Sequence, residues 1–165
     1  MEMNIRLLGP DDWPMVKVIY ELGIATGIAT FENRPPEWEV WHTSHLSFGN
    51  LVAEINNAVV GWVALSPVSD RCVYGGIAEV SIYVHPEWKG KRIGKSLLGK
   101  VVEESEGNGI WTLNAATFPE NIPSLSLFKK SGFREIGYRE KIAKKDGVWK
   151  DNVILERRSK LPKFN

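Results

Sequence analysis

The chain has 165 residues, 43% of them hydrophobic and 25% charged, which predicts one globular domain with a proper core. Its formal net charge of +1 gives no general electrostatic case for a nucleic acid or membrane partner. The single cysteine, Cys72, excludes an internal disulfide and a thiolate metal cluster, so we expect no metal cofactor.

Strands and helices are interspersed along the chain, with turn-forming residues between them. In order, we predict strand 4–8, helix 13–22, helix 37–48, strands 51–55 and 58–65, strand 77–84, helix 94–106, strand 110–115, helix 122–130, and strands 133–143 and 148–155. Asn56-Asn57 tolerates the positive φ angles of a tight hairpin turn. This mixture predicts an α/β domain, α+β by some schemes, over residues 1–165, with a disordered tail from about residue 159.

The stretch from Ile77 to Ser96 changes its hydrophobic period partway along. Every second residue from 78 to 84 is apolar and alternates with polar residues, which predicts a strand with one apolar face. From about Gly94 onward, apolar residues recur at helical spacing. A strand, a short loop and a helix therefore follow one another here.

Cationic residues crowd the start of that helix, where unpaired N–H groups and the helix dipole already make the potential positive. They are Lys89, Lys91, Arg92 and Lys95. Gly90 and Gly94 would let main-chain N–H groups converge on an anion. The pattern is typical of phosphate binding, and a solvated basic turn is the alternative.

These residues resemble the pyrophosphate loop of the GNAT superfamily of acetyl-CoA-dependent N-acetyltransferases. That loop has Arg or Gln, two residues, Gly, one residue, then Gly or Ala, after a strand that ends in Val. Here Val84 precedes the segment Lys89–Gly94. A second family element, an Asn before a helix that ends in Gly-Phe, matches Asn121 through Phe133. Both elements occur in the family's order and at its usual separation.

Within the superfamily, the chain looks most like the phosphinothricin and methionine sulfoximine N-acetyltransferases. The matching segments are Ala29–Glu32, Ala78–Val84 and Asp146–Asp151. The resemblance covers nearly the whole chain. It implies a single-domain fold with a mixed, mostly antiparallel twisted sheet of about seven strands and about four flanking helices. It also implies a homodimer.

The activity that the resemblance implies is direct transfer of the acetyl group of acetyl-CoA to the primary amine of a small amino-acid-like substrate. Glu79 is the expected base for the amine proton, and a solvent-facing strand residue is its alternative reading. The main chain at 82–84 is expected to pair with the pantetheine arm, and residues 90–95 to hold the pyrophosphate. The expected cofactor-binding residues are Ile82, Tyr83, Val84, Lys89, Gly90, Lys91, Arg92, Ile93, Gly94, Lys95, Asn121, Ser124 and Phe128. The expected acceptor-pocket residues are Phe31, Glu32, Cys72, Val73 and Tyr74.

The chain departs from the family pattern at several positions. Arg92 stands where the loop prefers Gly, and Lys89 where it prefers Arg or Gln. Phe128 stands where many members carry a Tyr, and a phenyl ring cannot protonate the departing thiolate. The proton would then come from water, from the substrate ammonium, or from Tyr83 or Tyr74.

The acceptor side is less well defined by the sequence. An amino-acid carboxylate would pair with an arginine such as Arg34 or Arg71, and simple solvation is the alternative for both. The subgroup's usual His in the last hairpin corresponds here to Asp146, which weakens the case for phosphinothricin itself.

Two other functions fit the sequence. One is acetylation of a protein N-terminus or lysine, and the other is CoA binding without catalysis, which Phe128 and Arg92 motivate. The N-terminal residues lack a basic segment followed by an apolar run, and no stretch approaches the ~20 apolar residues of a membrane span. We therefore expect a cytoplasmic protein.

Overall fold

The computed structural model describes all of residues 1–165 and consists of a seven-stranded sheet with four α-helices. The strands are β1 (Met3–Leu7), β2 (Leu51–Ile55), β3 (Ala58–Pro67), β4 (Ile77–Val84), β5 (Thr112–Thr117), β6 (Arg134–Lys145) and β7 (Val148–Arg158). The helices are α1 (Trp13–Ala25), α2 (Trp38–Ser44), α3 (Ile93–Gly107) and α4 (Ile122–Lys130). The predicted α/β architecture is confirmed.

The sheet has the strand order β1-β2-β3-β4-β5-β7-β6. All neighbouring strands are antiparallel except β4 and β5, which are parallel and joined through α3. The β4–β5 ladder covers only residues 77–79 of β4 against residues 112–114 of β5. Beyond Glu79, the main chain of β4 therefore has a strand partner on its β3 side alone.

Each face of the sheet carries its own apolar core. The larger core lies under α3 and α4, where Leu97 and Phe128 pack with strand residues such as Val80. The smaller core lies under α1 and α2, where Trp41 packs with Trp62. Because helices cover both faces, the sheet is held rigidly and its strand ends become a defined platform.

Among the element boundaries that differ from the sequence prediction, those of α2 and β5 follow from particular main-chain hydrogen bonds. Helix α2 ends at Ser44 and not near residue 48, since the Leu46 N–H donates to the Leu65 carbonyl over 2.8 Å. Strand β5 starts at Thr112 and not at Ile110, since the Ile110 N–H donates to the Ser105 carbonyl over 2.9 Å at the end of α3. Both shifts leave the order of elements unchanged.

Positive φ angles define the β2–β3 turn, and side-chain hydrogen bonds hold the C-terminal tail. Asn56 and Asn57 adopt φ angles of 51° and 63°, which confirms the predicted hairpin turn. In the tail, the Arg158 guanidinium donates to the Phe164 carbonyl over 2.7 Å, and the Lys163 ammonium donates to the Glu106 carbonyl over 2.6 Å. None of the helices combines the length and the apolar character that crossing a membrane requires.

Candidate active site

A cavity of about 1030 Å³ opens where the β4–β5 ladder stops. Its walls come from β4, β5 and β7, from the starts of α3 and α4, and from the loop that follows α1. Most of the residues predicted for the site line this cavity. They are Phe31, Glu32, Glu79, Ile82, Tyr83, Val84, Lys89, Gly90, Arg92, Ile93, Gly94, Lys95, Asn121, Ser124 and Phe128.

One end of the cavity is formed by the start of α3, and we call it the helix end, comprising residues 82–95. Arg92 is the N-cap of α3 and has a left-handed backbone, with φ 62°. Gly90 has φ 78°, and the backbone there admits a non-glycine residue only with strain. A Cβ on Gly94 would lie 3.1 Å from Leu127 Cδ2 of α4. Small residues thus hold main-chain N–H groups at the cavity wall.

Lys91 is the one residue of the predicted phosphate loop that does not line the cavity. Its ammonium lies 4.7 Å from the ring centroid of Trp88, which is cation–π geometry. Lys89, Arg92 and Lys95 remain the cations at this end. Their charges add to the positive potential of the helix N-terminus.

Asn121 caps α4 and also ties it to the loop after α1. Its Oδ1 accepts the Ser124 N–H at 3.3 Å, and its Nδ2 donates to the Ile28 carbonyl at 3.3 Å. Phe128, one of the cavity-lining residues of α4, is only 3% exposed and packs against Phe133 with ring centroids 5.1 Å apart. Asn121 therefore has a structural role whatever ligand it contacts.

Glu79 faces the cavity from the last paired position of β4, opposite Asn114 of β5. Partial desolvation at the cavity wall raises the pKa of the Glu79 carboxyl, and the positive charge of Arg139 opposes that rise. A carboxylate with a raised pKa is a stronger base than a solvated one. A cleft carboxyl with such a shift is a candidate general base.

Tyr83 belongs to a stack of aromatic rings on the face of β4 that carries Glu79. Its ring centroid lies 4.9 Å from that of Tyr20 and 4.8 Å from that of Trp62. Burial is the main cause that raises the pKa of the Tyr83 hydroxyl far above its ordinary value. Such a phenol is a weak acid near neutral pH.

The loop with Phe31 and Glu32 is held in place by contacts from distant parts of the chain. The Phe31 ring packs edge-on against Phe118 with centroids 4.7 Å apart. The Lys145 ammonium, on a residue only 6% exposed, donates to the Glu32 carbonyl at 3.0 Å and lies 3.5 Å from Asn33 Oδ1. Lys145 thus fastens the loop to the β6–β7 hairpin.

The other predicted acceptor residues lie outside this cavity. Cys72, Val73 and Tyr74 form an exposed 3-10 turn and do not line it, so their role in acceptor binding stays a prediction. The Arg71 guanidinium lies 5.5 Å from the Tyr74 ring centroid. Arg34 lines a separate cavity of about 700 Å³ that shares Glu32 and Ser81 with the first.

Sequence reasoning missed three residues of the site region, namely Lys145, Arg139 and Asn152. Arg139 and Asn152 line the main cavity from β6 and β7. Asn152 had a usable signal, since a lone amide precedes the apolar run Val153–Leu155 in a predicted strand. Arg139 and Lys145 had none, because both lie among other charged residues of an exposed strand.

The cavity also contains buried polar atoms without protein partners. Thr117 Oγ1 and Asn152 Oδ1 are both buried and unpaired, and both residues line the cavity. Buried polar groups are almost always paired, so such atoms indicate a polar ligand or water. Nowhere do three or more His, Cys, Asp or Glu side chains gather in a way that could hold a metal ion.

Comparison with known proteins agrees with this geometry. Residues 18–133, more than half of the chain, match the model of the acetyltransferase (GNAT) family. The chain is 37% identical to a Bacillus subtilis protein provisionally named as a phosphinothricin acetyltransferase, over 94% of this chain and 98% of that one. It is 31% identical to the phosphinothricin N-acetyltransferase of Alcaligenes faecalis, over 93% of this chain and 81% of that one.

A solved structure extends the similarity to three dimensions. The phosphinothricin acetyltransferase of Sinorhizobium meliloti, solved in complex with acetyl-CoA, superposes with a TM-score of 0.86 at 28% identity, over 96% of this chain and 89% of that one. The family match, the sequence identity and the fold agree with one another. This chain belongs to the GNAT family of acetyltransferases.

Proposed function

We propose that this protein transfers the acetyl group of acetyl-CoA directly to the primary amine of a small amino-acid-like substrate, of the phosphinothricin or methionine sulfoximine type. The observation that carries the proposal is the position of Glu79. Its carboxyl faces the same cavity as the N-terminus of α3, so a base and an anion-binding helix end share one space. The names of the relatives support the substrate type.

The helix end fits acetyl-CoA, which supplies an activated thioester carbonyl. The β4 main chain at Ile82–Val84 lacks a strand partner on the β5 side, which leaves hydrogen-bonding groups for an extended pantetheine arm. The N–H groups of 93–95 and the three cations at this end suit a pyrophosphate. Asn121, Ser124 and Phe128 would contact the cofactor further along the cavity.

Glu79 would act on the acceptor amine. An amine with a pKa of about 10 is only ~0.1% neutral at pH 7, so removing its proton raises the reactive fraction. Glu79 takes this proton, directly or through water. The carboxyl is suited to the task because desolvation raises its pKa toward the working pH.

No tyrosine of the site suits the acid role. Phe128 has no proton to give, Tyr83 has a raised pKa, and Tyr74 lies outside the cavity. We therefore assign the proton of the departing thiolate to water or to the substrate ammonium. A thiolate is a stable leaving group, so the missing acid costs little rate.

A thiol-release assay with acetyl-CoA tests the proposal. The acceptors are methionine sulfoximine, phosphinothricin, a panel of amino acids and short peptides, assayed with the wild-type protein and with Glu79→Gln. Glu87→Gln is the matched control, because Glu87 lies in the exposed turn before α3. We expect the wild-type protein and Glu87→Gln to acetylate a free amino acid. Glu79→Gln is expected to lower this turnover by a factor of about 100 or more. Turnover only on peptides, or tight CoA binding without any turnover, would replace the proposal by one of its two alternatives.

We further propose that the protein is a homodimer of the cytoplasm. Exposed large apolar side chains on the β6–β7 hairpin support the dimer, since such a surface gains stability when covered. They are Ile136, Tyr138, Ile142, Val148 and Trp149. An exposed free thiol at Cys72 suits a reducing compartment. Sedimentation equilibrium at micromolar concentration measures the first point, and cell fractionation measures the second.

A further inference from the structure

The cations that line the main cavity lie at two separate places. Lys89, Arg92 and Lys95 stand at the start of α3, and Arg139 alone stands on β6. Arg139 takes part in none of the ion pairs of the molecule. Its guanidinium is nevertheless near enough to lower the pKa of Glu79 by its charge. An unpaired guanidinium beside the candidate base is available to bind an anion.

The strand register places this guanidinium on the sheet face that carries Glu79. Residues opposite each other in a ladder share a face, as do residues two apart along a strand. Arg139 is opposite Asn152 in the β6–β7 ladder. Steps of two residues along β7 and β5, together with the pairing of these two strands, lead from Asn152 to Asn114. Asn114 is in turn the partner of Glu79 in the β4–β5 ladder. Arg139, Asn152 and Glu79 thus lie on the same face of the sheet, and all three line the cavity.

Asn152 adds an independent observation. The residue is only 8% exposed, it lines the cavity, and its buried Oδ1 has no hydrogen-bond partner in the protein. A buried carbonyl oxygen without a donor is costly unless a ligand or water supplies one. A substrate N–H group at this place would satisfy it.

A bulge in β6 positions Arg139. Between the pairs Arg139–Asn152 and Ala143–Lys150, three residues of β6 stand against Asp151 alone. The Asp151 carboxylate stabilises this bulge with two hydrogen bonds. It accepts the hydroxyl of Tyr138, which precedes the bulge, and, at 2.7 Å, the N–H of Lys141, which lies within it. Lys141 has φ 48°, so the bulge is a strained feature that these contacts maintain. Bulges of this kind redirect side chains next to active sites.

We propose that Arg139 binds the α-carboxylate of the acceptor and that Asn152 Oδ1 accepts a hydrogen bond from its amine. This assignment rests on the proposed function and names the two residues that would hold the carboxylate and the amine of a free α-amino acid. A guanidinium matches a carboxylate with two parallel N–H···O bonds. The amine on the adjacent carbon then lies between Asn152 and Glu79. Neither a peptide N-terminus nor a lysine side chain in a protein has a carboxylate at this spacing.

The test compares three acceptors of one side chain, namely methionine sulfoximine, its α-carboxamide and its decarboxylated amine. Each is assayed with the wild-type protein, Arg139→Gln and Arg139→Lys. We expect the wild type to prefer the free amino acid by a factor of about 10–100 in kcat/KM, the size of one charge-assisted contact. Arg139→Gln raises the KM for the free amino acid by the same factor and leaves the carboxamide unchanged. Arg139→Lys restores part of the preference.

Three arginine variants provide the controls. Arg134→Gln removes a guanidinium of the same strand that is paired with Glu156 at the surface. Arg34→Gln and Arg71→Gln remove the two arginines that the sequence favoured. If Arg139 binds the carboxylate, all three variants keep the wild-type preference for the free amino acid over the carboxamide and the decarboxylated amine. The KM for acetyl-CoA stays constant throughout, and Arg139 is exposed, so the fold tolerates its substitution.

Asn152→Leu separates the second contact from the first. It raises the KM for the free amino acid and for the carboxamide alike, because both present the same amine. The proposal is overturned if Arg139→Gln keeps the wild-type preference for the free amino acid over the carboxamide, or if Arg34→Gln or Arg71→Gln loses that preference. Either result would leave the acetyltransferase function intact. Absence of turnover on every amine would instead refute the proposed function.

Discussion

The two ends of the cavity are built in different ways. The helix end comes from the single stretch of residues 82–95, and its shape depends on main-chain geometry, including the left-handed Arg92 and the close approach at Gly94. We call the other end the hairpin end; it comprises Phe31, Glu32, Glu79, Arg139 and Asn152, which come from four separate segments. The helix end therefore tolerates little change in its backbone. The hairpin end depends instead on hydrogen bonds from side chains that connect its separate segments.

The bridges at the hairpin end connect residues far apart in sequence. The Lys145 ammonium donates to the Glu32 carbonyl and lies near Asn33 Oδ1. The Asn121 side chain donates to the carbonyl of Ile28, in the loop that leads to Phe31. No bridge of that kind appears within the α3 start, where the helix supplies its own N–H groups. Substitutions at the two ends are therefore expected to affect different kinetic constants, and the following predictions test that separation.

The largest effect is expected at Glu79, which lies where the two ends meet. Glu79→Gln lowers kcat/KM about 100-fold or more, the usual worth of a general base. Because the pKa of Glu79 is raised and the base acts deprotonated, wild-type activity falls as pH decreases through that pKa. Between the pKa of Glu79 and that of the amine, log kcat/KM is then nearly independent of pH in the wild type, because the bound ammonium gives its proton to Glu79, and rises with a slope near 1 in the variant, which needs the free amine. Equal slopes would remove Glu79 from the proton transfer.

A substitution at Gly94 tests the helix end. A Cβ there lies 3.1 Å from Leu127 Cδ2, so a branched side chain requires Leu127 or the start of α3 to shift. We expect Gly94→Val to raise the KM for acetyl-CoA about 10-fold and to leave the acceptor KM near its wild-type value. Gly99→Val on the same helix is the control, because a Cβ there meets nothing within 4 Å. An equal rise in both KM values would show that the two ends are mechanically coupled.

A substitution at Lys145 tests the hairpin end. Lys145→Met keeps most of the length of the side chain and leaves the Glu32 carbonyl without its donor. We expect a rise of about 3–10-fold in the acceptor KM, an unchanged KM for acetyl-CoA, and a loss of about 1–3 kcal/mol in unfolding free energy. Lys144→Met is the control, since its ammonium lies over the Trp149 ring, 5.0 Å from the centroid. Wild-type acceptor kinetics in Lys145→Met would contradict a role for the bridge.

The smallest effect compares two glycines of α3 in stability alone. Gly99→Ala stabilises the protein by about 0.5–1 kcal/mol, because alanine costs less conformational entropy in a helix and the site is open. Gly94→Ala gains less than Gly99→Ala, since its methyl group contacts Leu127. Urea denaturation of the two variants measures the difference. A larger gain in Gly94→Ala would mean that the helix end is loosely packed.

The helix end was accessible to sequence reasoning because its chemistry is local. Alternation along β4 and the change to helical spacing identified the strand and the helix, and the glycine and lysine residues between them predicted an anion site. Glu79 was predicted as the base from its place on the polar face of that strand together with the resemblance to the acetyltransferase family. The boundary error at α2 arose where Leu46 pairs across the fold with Leu65, and the error at β5 arose where Ile110 still bonds to the end of α3.

The hairpin end was not accessible in this way. Arg34 and Arg71 were the arginines nearest in sequence to the predicted acceptor residues, yet neither lines the main cavity, whereas Arg139 does. Its approach to Glu79 depends on the order of β5, β7 and β6 and on the bulge opposite Asp151. Neither strand order nor a bulge leaves a periodic pattern in the chain.

Sequence alone thus sufficed for the fold class and, through the resemblance of its motifs, for the family, and it predicted an anion-binding end, because hydrophobic period and short motifs are properties of neighbours along the chain. The identity of the residues around the acceptor depends on packing, because it is set by which distant strands become adjacent and which face each side chain takes. Lys145 shows the difference most plainly. In the sequence it is one lysine among several, and in the fold its buried ammonium joins two segments 113 residues apart.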